Sequence, residues 1–225
     1  NSYVPYLENG LFGFMDTKGL IHIPPTFDHV DETLKCGNIS EDWLLVTKDG
    51  QPITVNKIGQ TIVSDASKFQ AVGNSFVLTS QGGLYHRSGY KIIHQEILAA
   101  NVIQSRYIAF QNNNFQWGII SVSGMEILDA RYDYIESIGN FIVLSKDDNY
   151  SFSNLEWIKD QEILAEGFDD YEIVGDSLLL AYSGDLESLY DQNLDAIVEL
   201  GSHRISISGN GSFLKKEQGY QLIDF

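Results

Sequence analysis

Apolar residues along this chain come in short runs, each closed by glycine, asparagine or aspartate. Phe141-Ile142-Val143-Leu144 and Leu178-Leu179-Leu180-Ala181 are apolar at consecutive positions, as a strand covered on both faces reads. Lys91-Ile92-Ile93-His94 is more mixed, as an outer strand would be. The segments between runs, such as Lys48-Asp49-Gly50, Asp147-Asp148-Asn149 and Ser183-Gly184-Asp185, hold residues that tolerate the positive φ of tight hairpins. No stretch makes a convincing amphipathic helix; Asp185–Leu194 comes nearest and already fits the strand pattern. An all-β fold is expected.

The pattern recurs. Its cleanest copy runs from Phe115 to Ile135: an apolar run, a turn at Gly124, a second run, then Tyr132-Asp133 leading into a third. Gly19, Gly59 and Gly89 mark the same turn upstream, and Asp160 and Asp195 downstream, at spacings of 40, 30, 35, 36 and 35 residues. A fixed period in this range marks a repeat architecture, because one unit cannot bury its apolar face alone. Each unit holds four short strands, the third expected at Glu126–Asp129 or Glu162–Ala165. A linker with an aromatic and an aspartate follows: Pro24-Pro25-Thr26-Phe27-Asp28, Ala130-Arg131-Tyr132-Asp133, Glu166-Gly167-Phe168-Asp169. Its aromatic should wedge between neighbouring sheets, and its aspartate should cap backbone N–H groups. The two ends of the chain match each other, which gives seven sheets, the first lacking its opening strand and the last its closing one. The expected form is a β-propeller of about seven short blades, a single domain over residues 1–225. Roughly 35 residues per repeat is short against the 40–45 of familiar propeller repeats, so an open β-solenoid of hairpins is the alternative.

Charge changes the picture more than composition does. Fourteen basic against 31 acidic residues give −17, a surface that repels nucleic acid and anionic lipid and attracts basic partners. No apolar stretch approaches the ~18 residues of a membrane span. The single Cys36 rules out an internal disulfide framework and suits the cytoplasm better than secretion. The sequence opens Asn1-Ser2-Tyr3 without Met, so a processed or missing start is expected.

Trp117-Gly118 through Gly124 to Tyr132-Asp133, and Phe12-Gly13-Phe14-Met15-Asp16 through Gly19 and Pro24-Pro25 to Phe27-Asp28, resemble the units of the WG-repeat (KWG) family. The other units keep the spacing and lose most signature residues. The resemblance implies an interaction module, mainly bacterial, with no shared chemistry and no catalytic residues to carry over.

The residues themselves point the same way. Asp191-Gln192-Asn193-Leu194-Asp195 resembles half a calcium loop, but Ala196 and Ser202 replace its glycine and closing glutamate; a strand end and turn explain it. His22, His29, His86, His94 and His203 share no ligand spacing. Asp147-Asp148 and Asp169-Asp170 are adjacent pairs, which point to opposite faces of a strand and cannot converge on one substrate. There is no Gly-x-Ser-x-Gly elbow and no phosphate loop. Trp43 and Trp117 should pack between sheets, whereas Trp157, in an irregular turn, is the candidate exposed anchor. No enzyme activity, cofactor or metal is expected. The expected function is a protein-interaction scaffold for a basic partner, for example an immunity protein against a toxin. Its binding residues would be Asp31, Glu32, Glu41, Asp42, Asp147, Asp148, Trp157, Asp169 and Asp170. A carbohydrate-binding, lectin-like propeller is the alternative.

Overall fold

Short strands joined by tight turns pair first with their sequence neighbours, and among the described residues every sheet is built from that pairing. The computed structural model describes residues 3–30, 43–64, 69–73, 75–86, 89–93, 95–175, 177–201, 204–207, 213–216 and 220–223. Two compact units divide it, Asn1–Asn101 and Val102–Phe225. In the first, β1 (Tyr3–Glu8), β2 (Leu11–Asp16) and β3 (Ile21–Phe27) form one sheet. β4 (His29–Val30), β5 (Trp43–Lys48), β6 (Gln51–Asn56) and β7 (Thr61–Ser64) form the next, and β8 (Phe69–Val72), β9 (Phe76–Thr79), β10 (Leu84–His86) and β11 (Lys91–Ile93) a third. The unit boundary falls within β12 (Ala99–Ile103), which heads a sheet with β13 (Tyr107–Gln111), β14 (Trp117–Ser121) and β15 (Glu126–Tyr132). Then come β16 (Tyr134–Ile138), β17 (Phe141–Lys146), β18 (Asn149–Asn154) and β19 (Leu164–Phe168). β20 (Asp170–Val174), β21 (Leu178–Ser183), β22 (Leu186–Asp191) and β23 (Ala196–Gly201) make the next sheet. β24 (Arg204–Ile207), β25 (Phe213–Lys216) and β26 (Tyr220–Ile223) complete the described strands. The fold is all-β: among the described residues, seven small antiparallel sheets, each a meander of sequence neighbours, the plan of a propeller blade.

Only the aspartate of the aromatic-Asp segment is a linker between sheets; the residues before it, through the aromatic, belong to the third strand. They form a bulge there. Trp117 pairs with Tyr132 and Ile119 with Leu128, so two steps on β14 face four on β15. The same count recurs where Phe12 pairs with Phe27 and Phe14 with Ile23, and where Tyr150 pairs with Phe168 and Phe152 with Leu164. The extra residues press on the residue between the paired ones. A Cβ on Gly118 would meet Leu128 O at 2.8 Å and Ala130 N at 2.9 Å, and one on Gly13 would meet Ile23 O at 2.6 Å. The Gly of each Trp-Gly or Phe-Gly pair is therefore a clearance requirement set by the bulge. Between β18 and β19 the small residue has moved across the pair: Ser151 replaces the glycine, and Gly167 enters the bulge with φ 116°.

The aspartate does what its position suggested. Asp28, Asp133 and Asp169 each accept, through Oδ2, the backbone N–H of a hairpin in the following sheet: Gly50 (3.0 Å), Asp147 (2.8 Å) and Gly184 (2.5 Å). Their own N–H groups donate to Thr47, Ser145 and Tyr182 carbonyls. One residue thus fastens two sheets with one charge-assisted and one backbone hydrogen bond. The preceding aromatic fills the space between those sheets. Phe27 packs with Phe14, Leu44 and Val46, and Phe168 with Phe152, Leu179 and Tyr190. Glu136 on β16 adds a polar tie, accepting from Tyr171 Oη of β20 at 2.7 Å. Burial first, and that carboxylate second, push the Tyr171 hydroxyl well above its ordinary pKa.

Two turn assignments shift by one residue. The left-handed turn residue is Gln161 (φ 61°), not Asp160, and Leu194 (φ 67°), not Asp195. A 3-10 turn at Ile158–Asp160 precedes the first, so the following strand starts at Leu164 and not at Glu162. Leu194 is 3% exposed, and its buried side chain offsets the backbone strain.

Candidate functional site

In an antiparallel meander, turns alternate between two ends. In the second unit, turns after even-numbered strands lie at one end, and odd-strand hairpins and bulged crossings at the other. Contacts between sheets keep that sense. The Gln104 side-chain amide donates to Gly139 O, Asn140 Nδ2 donates to Gln192 Oε1 at 2.9 Å, and Arg106 lies 3.5 Å from Glu156, all at the even end. Asp133 and Asp169 cap hairpins at the odd end.

Asp147, Asp148, Asp169 and Asp170 are all exposed at the odd end. Asp147 and Asp148 form the β17–β18 hairpin with φ 51° and 62°, a type I′-like geometry that aspartate and asparagine tolerate. Asp169 leaves the same sheet beside that hairpin, since Phe168 pairs with Tyr150. Asp170 accepts its neighbour Tyr171 N–H at 2.8 Å. Asp133 and Asp185 join them at this end, against Arg131 and Lys146. A recess of about 250 Å³ lined by Tyr132, Lys146, Asp147, Asn149, Ser151 and Gly167 opens there. Asp31, Glu32, Glu41 and Asp42 lie outside the described residues.

Trp157 is at the opposite, even end. It precedes the 3-10 turn between β18 and β19, half-buried against the cluster of Phe141, Phe152 and Leu179. It walls a cleft of about 360 Å³ together with Arg106, Asn140, Asn154, Glu156, Gln192 and other turn residues. Asn154 is 7% exposed, and its Oδ1 accepts the N–H groups of Glu156 (3.0 Å) and Trp157 (2.9 Å). Glu156 is bonded to Lys159 at 3.0 Å and faces Arg106. The Lys159 ammonium, by hydrogen bond and charge, holds the Glu156 carboxyl below its ordinary range, and Glu156 in turn raises Lys159. Asn140, Asn154 and Gln192 read in the sequence only as turn residues. The available signal was the irregular stretch Asn154–Glu162, where the repeat pattern breaks.

Among the described residues no three His, Cys, Asp or Glu groups converge as a metal site would require, and no helix is long and apolar enough to cross a membrane. Asp191 Oδ1 accepts the N–H groups of Asn193 (2.8 Å) and Asp195 (3.0 Å). The segment that resembled a calcium loop is thus an aspartate-capped turn. Asp16 makes the same turn with Lys18 and Leu20 N–H. His22 stacks on Tyr3 and contacts Asp16 at 3.4 Å. His94 and His203 lie outside the described residues.

The family model of the WG containing repeat matches residues 12–51 and 117–150, the two segments with the bulge-and-glycine arrangement. No curated protein matches the chain. Solved structures similar to it include Hsv2 of Kluyveromyces lactis, 10% identical with a TM-score of 0.35, over 77% of this chain and 67% of that one. BamB from Moraxella catarrhalis is 12% identical with a TM-score of 0.35, over 95% of this chain and 78% of that one.

Proposed function

We propose that this chain with WG repeats is a protein-interaction module that holds a basic partner surface against the odd end of its second unit. Neutralising a basic toxin is one use such a module would serve. The observation that supports the reading is the set of exposed aspartates on the hairpins and crossings of that end. Asp133, Asp147, Asp148, Asp169, Asp170 and Asp185 share that end with Arg131, Lys146 and Arg204, in a chain of net charge −17. Fixed carboxylates on rigid hairpins add into one field, which speeds encounter with a cationic surface and discriminates against anionic ones. The aspartates also stand on backbone held by the repeat, so binding need not order a loop. The reading assigns no catalysis.

The test is the association rate of the captured partner with wild type and with Asp147→Asn/Asp148→Asn/Asp170→Asn, at low and high salt. Asparagine tolerates the positive φ of the hairpin, so the variant keeps its turn. The rate should fall several-fold with either change, as screening to a Debye length near 3 Å at 1 M requires. A rate indifferent to both overturns the proposal.

A further inference from the structure

The even-end cleft carries a second inference, independent of the acidic end. We infer that the cleft between Trp157, Asn154, Asn140 and Gln192 binds a neutral saccharide. The first ground is an unused donor held in place by the fold. Asn154 is more than nine-tenths buried and lines the cleft. Its Oδ1 accepts two backbone N–H groups, a role that only the oxygen can fill, so the amide orientation is fixed. Its Nδ2 is left at the cleft with no protein acceptor among the described contacts. A donor held in a fixed direction and open to the cleft can give its hydrogen bond to a ligand oxygen in place of water, with no side chain left to order.

The second ground is the mixed polarity beside it. Asn140 Nδ2 is taken by Gln192 Oε1, which leaves the Asn140 oxygen as acceptor and the Gln192 nitrogen as donor. A hydroxyl both donates and accepts, and adjacent hydroxyls present both roles side by side. The third ground is charge. Arg106 faces Glu156, Glu156 is bonded to Lys159, and the Asp191 carboxylate accepts from Asn193. No cation among them stands unpaired to attract an anion. Trp157 also lines the cleft, and an indole suits the C–H face of a sugar. A peptide added as a strand needs an open strand edge. The cleft instead lies at turns whose backbone groups are used internally, as in Asp191 N to Asp195 O and Gln161 N to Ile158 O. At about 360 Å³ it lies at the small end of ligand sites, which favours one or two sugar rings.

The experiment is saturation-transfer NMR on the full chain with glucose, galactose, mannose, N-acetylglucosamine, lactose, maltose and cellobiose at millimolar concentration. Glucuronate and a glycine-rich tripeptide serve as charged and peptide comparators. At least one neutral sugar should show transfer and shift the Trp157 indole and Asn154 amide signals. Asn154→Asp keeps the oxygen that caps the turn and replaces the donor by a charged second oxygen, so it should weaken binding about tenfold or more, with the melting temperature measured to check that the turn holds. Gln192→Ala, at an exposed turn, is the second variant and should weaken the same sugar. Transfer from none of the sugars, from glucuronate or the tripeptide alone, or unchanged affinity in both variants overturns the inference.

Discussion

Replacing Gly118 by alanine tests the account of the repeat most directly. The added Cβ would lie 2.8 Å from Leu128 O, 2.9 Å from Ala130 N and 3.0 Å from Ala130 Cα. All three atoms are backbone, so no side chain can swing aside. The bulge cannot retreat easily either, because Leu128 and Tyr132 are buried on both sides of it. Overpacking of this kind costs about 1–3 kcal/mol, and rigid backbone neighbours place the site near the upper end. Alanine stiffens the unfolded chain and is a better strand residue than glycine, which offsets about 0.5–1 kcal/mol. The net loss should be about 2 kcal/mol, or about 4–8 °C in Tm for a chain of this size. Urea denaturation with an unchanged m-value is the assay. Ser151→Ala is the control, since that position already holds a side chain and its bulge has Gly167; it should change stability by less than about 1 kcal/mol. A stable Gly118→Ala variant, or equal losses at both sites, refutes the clearance requirement.

Other outcomes follow from the same packing. Trp117 is 8% exposed with its ring edge-on to Tyr134, so Trp117→Ala should cost roughly 3–5 kcal/mol in the same melts. Thr54 is fully buried with its hydroxyl unpartnered, and Thr54→Val should raise stability by about 1 kcal/mol. Asp133→Ala removes the cap on Asp147 N–H and should cost roughly 1 kcal/mol by denaturation. Backbone N–H bonds, that from Leu20 first, lower the Asp16 pKa. Its contribution is therefore present above the unfolded value near 4 and lost as pH falls through the folded one. Stability of Asp16→Asn, which keeps the acceptor, should show less of that acid-side decline.

The strands were legible because their signals are local. Consecutive apolar residues at Phe141–Leu144 and turn residues at Asp147-Asp148 declare a covered strand and its hairpin within ten residues. The role of Asp133 was legible for the same reason: it recurs at one place in the period, as Asp28 and Asp169 do. The bulge was not. Nothing in Asp129-Ala130-Arg131 says that four residues will face two, because that count depends on where Tyr132 must land to fill the space between sheets. The cleft was less legible still. Arg106, Asn140, Asn154 and Gln192 come from four turns some 15–40 residues apart, and each looks like an ordinary turn residue. Only their shared parity, all after even-numbered strands, places them at one end.

That parity suggests how such a repeat separates fold from recognition. The recurring residues, Gly118 under its bulge, Tyr132 between sheets and Asp133 on the next hairpin, are fixed by contacts that recur in several units. A substitution there disturbs two sheets at once. Residues that depart from the period carry no such constraint. The departures differ between the ends: at the odd end they are carboxylates on hairpins already shaped for Asp or Asn, and at the even end the inserted turn Asn154–Gln161 raises Trp157 beside amides from adjacent sheets. Charge added on rigid hairpins acts over distance and tunes encounter with a macromolecule. A fixed donor beside a ring acts only in contact and selects a small ligand by shape and hydrogen bonding. If the two ends serve these separate tasks, Asp147→Asn/Asp148→Asn/Asp170→Asn should leave sugar binding unchanged, and Gln192→Ala should leave the salt dependence of partner association unchanged. Loss of both activities in either variant would mean that the ends are coupled through the sheets, and the separation argued from strand parity would fall.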